Sequence, residues 1–258
     1  SSTSRGLGDV YKRQDQFDGG FKITKVKDQS GNDLKHTIVN TMMRIDLTSV
    51  LKSGNSIKFN IGWNYTINNR MEGGGRSGYE YFEEEDNTLY TIAQFFPRMA
   101  VYGDDVGWQH KQFLGQGEFT LPFGNYRVSI DVPEDHIVGA TGELVNESTV
   151  LSSTQRKRLA EARKNFSDPV MIVTQEEAEI AERAESKESN NGRKTWIFNA
   201  KKVRDFAFAT SRKFIWDVMA VKIGDKTVTA ESFYPKEGNP LWEQYSTRVV
   251  AHSLISYS

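Results

Sequence analysis

A strict alternation of apolar and polar residues in segment 57–68 constrains the fold most strongly. Mostly polar residues separate six large apolar ones at every second position: Ile57, Phe59, Ile61, Trp63, Tyr65 and Ile67. Successive side chains of a β-strand point to opposite faces, so this pattern predicts one long strand. One face of that strand is therefore expected to be buried.

Further strand patterns, separated by turn residues, run along most of the chain. Tyr126, Val128 and Ile130 alternate cleanly with polar neighbours. Segment 213–222 is apolar at both odd and even positions, which favours a strand in the centre of a sheet. The sequence therefore predicts a mainly β fold.

The periodicity changes between about 151 and 190. Ser152 with Gln155, and Thr174 with Glu177, match the capping-box pattern that opens a helix. Each pair precedes a charged, alanine-containing run, at 155–164 and 176–187. We interpret these runs as a two-helix insertion on the outside of the β-domain. Apolar residues at helical spacing predict another helix near the C-terminus: Trp242, Tyr245, Val249, Val250 and Leu254.

Composition excludes several classes of function. The 33 basic and 34 acidic residues nearly cancel, so we expect no nucleic-acid partner. Cysteine is absent, which removes disulfides and thiolate chemistry. No apolar run approaches the length of a membrane span. We expect a soluble protein whose compartment is undetermined, with a periplasmic or exported location as one alternative.

Segment 91–108 carries the main candidate site residue. Pro97 removes a ladder donor and restricts the preceding residue, so a strand through 92–95 is expected to end or bend there. Gln94 then lies at a strand end, where a sheet presents polar groups to ligands. The turn Gly103-Asp104-Asp105 that follows is expected to frame the same rim.

Several separated motifs, in order, resemble the amino-terminal β-domain of the aminopeptidase N-type zinc metallopeptidases, most closely the bacterial members. The resemblance covers most of the chain from Phe21 to Leu254. It rests on these segments: Ala-Gln-Phe-Phe-Pro-Arg (93–98), Tyr-Gly-Asp-Asp (102–105), Gly-Trp-Gln-His-Lys-Gln-Phe (107–113), Gly-Glu-Phe (117–119), Tyr-Arg-Val-Ser-Ile-Asp-Val-Pro (126–133), Val-Gly-Ala-Thr-Gly-Glu-Leu (138–144), Asp-Phe-Ala-Phe-Ala-Thr-Ser (205–211) and Phe-Ile-Trp-Asp (214–217).

The resemblance implies a saddle-like β-sandwich with large antiparallel and mixed sheets. Residues 15–235 would form the amino-terminal β-domain, and 236–258 a linker and the truncated first helix of the catalytic domain. Residues 1–14 lack a counterpart in the family, and we interpret them as a non-native or flexible extension.

The family removes amino-terminal residues from peptides with a zinc held by a His-Glu-x-x-His helix and a distant glutamate. That motif is absent from this sequence. We therefore expect zinc and peptide substrates for the parent protein, but no catalytic residue, bound metal or activity in this chain alone. In many relatives a Gln of this domain hydrogen-bonds the substrate amino terminus, and Gln94 occupies the matching place. The alternative is a glutamine that merely caps a strand end.

Other polar clusters have simpler interpretations. The acidic run 83–86 lacks calcium-loop spacing, and the adjacent Asp104 and Asp105 favour a turn and rim over a metal clamp or a glycosidase pair. The histidines are read as structural or surface residues: His36, His110, His136 and His252.

The five tryptophans fit either packing or a binding surface. The tryptophans are Trp63, Trp108, Trp196, Trp216 and Trp242. Four of these five fall in strand or helix patterns that predict a core. A sugar-stacking platform is the alternative. It would suit a second hypothesis, a free-standing β-sandwich that binds carbohydrate or mediates adhesion.

Overall fold

The computed structural model describes residues 18–73, 75–112, 121–185 and 192–258. Two compact units emerge, the described parts of 1–68 with 96–122, and of 69–95 with 123–258. The predicted extension at 1–14, most of a predicted strand at 118–121 and the end of the second predicted helix lie outside the described residues.

The described residues are mainly β, which confirms the predicted fold class. The strands, in chain order, are β1 (Lys22–Asp28), β2 (His36–Val39), β3 (Met42–Ile45), β4 (Phe59–Asn64), β5 (Gly78–Phe82), β6 (Asn87–Ile92), β7 (Tyr102–Gly103), β8 (Gly107–Trp108), β9 (Gly124–Pro133), β10 (Ile137–Ala140), β11 (Glu143–Leu144), β12 (Val170–Val173), β13 (Arg193–Val203), β14 (Phe208–Ser211), β15 (Ile215–Ile223) and β16 (Lys226–Tyr234).

Helical elements are fewer. They are α1 (Arg70–Gly73), α2 (Glu147–Val150), α3 (Ser153–Ala162), α4 (Gln175–Glu185), α5 (Leu241–Ser256) and one 3-10 turn, η1 (Lys236–Gly238). None of the helices in the described part of the chain is long and apolar enough to cross a membrane.

The first unit contains three antiparallel strand pairs: β1 with β4, β2 with β3, and β7 with β8. Strand β4 lies within the alternating segment 57–68, but it covers only Phe59–Asn64. Phe59 and Trp63 are half-buried, whereas Asn60 and Asn64 are exposed. The alternation is therefore real. The strand is shorter than predicted because β1 pairs only with these six residues. Its apolar face is half-buried, whereas a buried face was predicted.

The second unit contains three sheets with strand orders β10-β14-β6-β5, β11-β13-β9 and β12-β15-β16. Every pairing between the described strands is antiparallel. The mixed sheets that the family resemblance implied are therefore not found in this part of the chain.

Strand β15 is the centre of the best-buried sheet, as its two-sided apolar pattern predicted. Residues 215–221 are all buried, and β12 and β16 pair with its two edges. On one face, Met219 and Val221 pack with Ala251 of α5. At the start of the strand, Ile215 packs with Ala178 of α4. The two helices thus cover one face of this sheet.

Both predicted capping boxes are present. Ser152 Oγ accepts a hydrogen bond from the Gln155 amide at 3.2 Å, and Gln155 Oε1 accepts one from the Ser152 amide at 2.9 Å. Thr174 and Glu177 make the same reciprocal pair at 3.2 and 2.9 Å. The insertion is not purely external, however, because β12 lies between its helices and pairs with β15.

The tryptophan prediction is partly wrong. Trp196 and Trp216 are buried and Trp63 is half-buried, but Trp242, which was expected in the core, is 45% exposed. Helix α5 has the predicted apolar spacing, yet Thr247 and Ala251 are its buried residues. A helix with apolar residues on several sides does not reveal in sequence which side packs on the sheet.

His136 is a buried histidine whose protonation opposes folding. It is only 5% exposed, and its Nδ1 lies 3.0 Å from Thr210 Oγ1. Burial, reinforced by the positive charge of Arg212, lowers its pKa from 6.5 to about 4, although Asp135 acts in the opposite direction. The unfolded chain therefore binds more protons than the folded chain between these two pH values.

We predict that the free energy of unfolding is highest above pH 6.5 and falls by about 3 kcal/mol as pH drops towards 4 because of His136. Denaturant unfolding at several pH values measures this. His136→Gln, which can still bond Thr210, should flatten the dependence in that window. The exposed-site control His252→Gln should leave it intact. An unchanged slope in His136→Gln would contradict the assignment.

Candidate functional site

Gln94 lies just beyond the end of a strand, as predicted, although β6 ends at Ile92 rather than at 95. Its side chain is exposed, and its backbone has φ +54°. A non-glycine residue in this left-handed region is disfavoured by about 1–2 kcal/mol. The neighbouring contacts must therefore hold the backbone of Gln94 in place.

Ser77 supplies the first of these contacts. Its Oγ accepts a hydrogen bond from the Ala93 amide at 3.0 Å and lies 3.2 Å from the carbonyl oxygens of Thr91 and Ala93. A single hydroxyl proton serves one of those carbonyls at a time. The side chain thus replaces the ladder bonds beyond the last pair of β5 and β6, Gly78 with Thr91.

An aromatic contact fixes the chain on the other side of Gln94. The rings of Phe95 and Phe208 meet edge to face, with centroids 5.3 Å apart. Phe208 belongs to β14 and pairs with Ile92. The residues on both sides of Gln94 are therefore anchored, Ala93 through its backbone and Phe95 through its ring, and the amide side chain of Gln94 is left exposed.

The left-handed backbone of Gln94 differs in setting from the other cases among the described residues. Those other non-glycine residues are Asn40, Asp86 and Lys202. Asn and Asp tolerate this conformation, and Lys202 lies where the register between β13 and β9 shifts. Gln94 has neither explanation. Backbone strain at an exposed polar residue next to a strand end is typical of a functional position.

The neutral amide of Gln94 both donates and accepts hydrogen bonds. It therefore suits a ligand that offers an amine and a carbonyl within one residue, as a peptide amino terminus does. Ser77 was missed in the sequence analysis because an isolated serine carries no signal of such a contact.

The turn at Asp104 and Asp105 forms as predicted, between β7 and β8. It belongs to the first unit, whereas Gln94 belongs to the second. The shared rim expected for these residues stays a prediction.

An exposed aromatic pair lies on the same hairpin. Tyr102 and Trp108 are cross-strand partners whose rings meet edge to face at 5.3 Å. Both are more than half exposed. Trp108, which lies outside the strand and helix patterns that predicted a core, is thus an exposed residue.

Acidic residues are used in contacts within the chain. In the run 83–86, Glu85 pairs with Lys213 and Lys236, and Asp86 accepts a hydrogen bond from the Tyr81 hydroxyl at 2.7 Å. No group of three or more His, Asp or Glu side chains in the described ranges is arranged to hold a metal ion.

The chain matches no protein-family model, no curated protein and no solved structure.

We predict that Gln94→Gly leaves the free energy of unfolding unchanged or raises it by up to about 1 kcal/mol. Glycine removes the left-handed strain but adds freedom to the unfolded chain. Gln94→Val should lower stability by more than about 1 kcal/mol. The matched control is Gln244→Gly in the exposed part of α5, which should lose about 1 kcal/mol. Denaturant unfolding compares the three variants. Equal losses in both glycine variants would contradict a strained Gln94.

Proposed function

We propose that this chain is the amino-terminal β-domain of an aminopeptidase N-type zinc metallopeptidase, with the start of the catalytic domain's first helix. The ordered sequence motifs motivate this assignment. The observation that carries it is the placement of Gln94, an exposed amide on a strained backbone that Ser77 and Phe95 anchor from both sides.

The role of the domain would be to wall one side of an active site and to help place the substrate amino terminus. The Gln94 amide oxygen would accept a hydrogen bond from the substrate ammonium, and its NH2 group would donate to a peptide carbonyl. The anchors reduce the ordering that substrate binding would otherwise demand of Gln94. Zinc would belong to the parent's catalytic domain, where it would supply the activated water.

The outward side of α5 also supports the proposal. Thr247 and Ala251 face the β15–β16 sheet, but the helix exposes large apolar residues elsewhere: Leu241, Trp242, Tyr245, Val249 and Ile255. A helix that is apolar on several sides is normally covered on several sides. This is what the first helix of a following domain would require.

A free-standing carbohydrate-binding or adhesion module is the second candidate. The exposed Tyr102 and Trp108 rings favour it, since exposed aromatic rings can stack on sugar faces. Glycan-array binding by this chain that disappears in Trp108→Ala, but persists in the control Trp242→Ala, would support the second candidate over the first.

We predict chelator-sensitive hydrolysis of amino-acid anilides by the full-length gene product that contains this chain. Gln94→Ala should raise KM by about 3- to 10-fold with little change in kcat, since one hydrogen bond contributes about 0.5–1.5 kcal/mol. Steady-state kinetics with a panel of chromogenic anilides measures both constants.

Gln29→Ala is the control, because it removes an exposed glutamine from a turn after β1, away from Gln94 in the sequence and outside α5. It should behave as wild type. A folded, zinc-loaded gene product without hydrolysis would overturn the enzyme assignment. Normal KM in Gln94→Ala, with activity present, would overturn only the role of Gln94.

A further inference from the structure

A fully buried lysine marks a second notable region of the larger unit. The side chain of Lys213 is completely inaccessible. Its Nζ lies 2.9 Å from Glu237 Oε1, 3.1 Å from Glu182 Oε1 and 3.4 Å from Glu85 Oε2. The ring of Phe82 covers the ammonium group at 4.6 Å. A charge removed from water this completely requires such partners, because an isolated buried ion is very costly.

Lys236 closes these contacts into a ring. Its Nζ lies 3.0 Å from Glu85 Oε1 and 3.1 Å from Glu182 Oε2. Each of these two glutamates therefore bridges both ammonium groups, using one carboxylate oxygen for each. We call Lys213, Lys236, Glu85, Glu182 and Glu237 the ion-pair ring.

The charges of the ring support one another. Burial by itself would lower the pKa of Lys213, but the nearby carboxylates of Glu237 and Glu182 outweigh it and raise that pKa. The hydrogen bond from Lys236, with the charges of both lysines, lowers the pKa of Glu85. Lys213 and Glu182 are the two most buried members, so removing a partner of either one leaves a buried charge without compensation.

The ring joins parts of the chain that are far apart in sequence. Glu85 lies in the turn between β5 and β6, Glu182 in α4, and Lys213 between β14 and β15. Lys236 and Glu237 belong to η1, the short turn that connects β16 to α5. The connection before α5 is thus tied to three other elements.

A second contact holds the same connection one residue beyond η1. Asn239 Nδ2 donates to Gln175 Oε1 at 2.9 Å and lies 3.1 Å from Glu243 Oε2. Gln175 begins α4, and Glu243 lies in the first turn of α5. The start of α5 is therefore attached to α4 by side chains on either side of Gly238.

The contact of α5 with the sheet is partly polar. Thr247 Oγ1 donates to Ser232 Oγ at 2.7 Å, and next to it the Tyr234 hydroxyl donates to the buried Asp217 at 2.6 Å. The apolar part of this contact uses the small Ala251 and the half-buried Leu254. Near the start of the helix, Trp242 meets the buried Tyr234 edge to face at 6.2 Å but remains 45% exposed. The connection that precedes α5 therefore helps to set the direction of the helix.

We propose that the ion-pair ring is a latch that fixes segment 236–240 and with it the direction in which α5 leaves the sheet. Breaking the latch frees the segment and the first turns of α5, while the β-sheets stay folded. This inference goes beyond the proposed function and does not depend on it, because the ring sets the position of α5 whatever its exposed side contacts.

Hydrogen exchange of the chain, followed by mass spectrometry at neutral pH, tests the latch. Lys236→Ala should accelerate amide exchange in 236–247 by about tenfold or more, since it removes two charged contacts. Exchange in β9 and β13 should not change. Lys236 is partly exposed, so its loss is less disruptive than that of the fully buried Lys213. The matched control is Lys226→Ala, an exposed lysine at the start of β16.

Two further variants separate the latch from general destabilisation. Glu85→Gln should accelerate exchange in 236–247. The same change at the exposed neighbouring residue, Glu84→Gln, should not. Lys236→Arg keeps the charge and should restore most of the protection. The proposal is wrong if Lys236→Ala and Glu85→Gln leave 236–247 protected, or if they accelerate exchange equally in β9 and β13.

Discussion

Burial of β15 on both faces is the constraint on which the larger unit depends. A strand without a polar face needs a paired neighbour on each edge and a cover on each side. Strands β12 and β16 satisfy the edges, and α4 and α5 cover one face. The two-helix insertion therefore belongs to the core of this unit, because it supplies both an edge partner and part of that cover.

The two polar regions of this unit arise where regular pairing stops. Beyond the last β5–β6 pair, the Ser77 hydroxyl takes over the backbone partners of Ala93, which lets the chain turn at Gln94. Before β15, Lys213 enters the interior and requires carboxylates from three other segments. In the first place a hydroxyl replaces backbone partners beside Gln94, and in the second a buried ammonium group is neutralised by carboxylates next to the connection that leads to α5.

Local patterns predicted much of this protein. The capping boxes at Ser152 and Thr174 were readable because their contacts span only three residues. The central position of β15 followed from its apolar residues on both faces. Strand β12 was missed, since four apolar residues between two helical runs are too short for a periodic signal. Gln94 was predicted to lie at a strand end from its place before Pro97, but its left-handed backbone depends on Ser77, seventeen residues away.

The sequence by itself determined the mainly β class, the capped helices and the position of Gln94 near a strand end, because periodicity and capping act between near neighbours. Only the tertiary structure decided which tryptophans are buried, which side of α5 meets the sheet, and that five charged residues between 85 and 237 form one ring. The physical reason is that burial and ion pairing are set by neighbours in space, which in an antiparallel β protein come from distant parts of the chain.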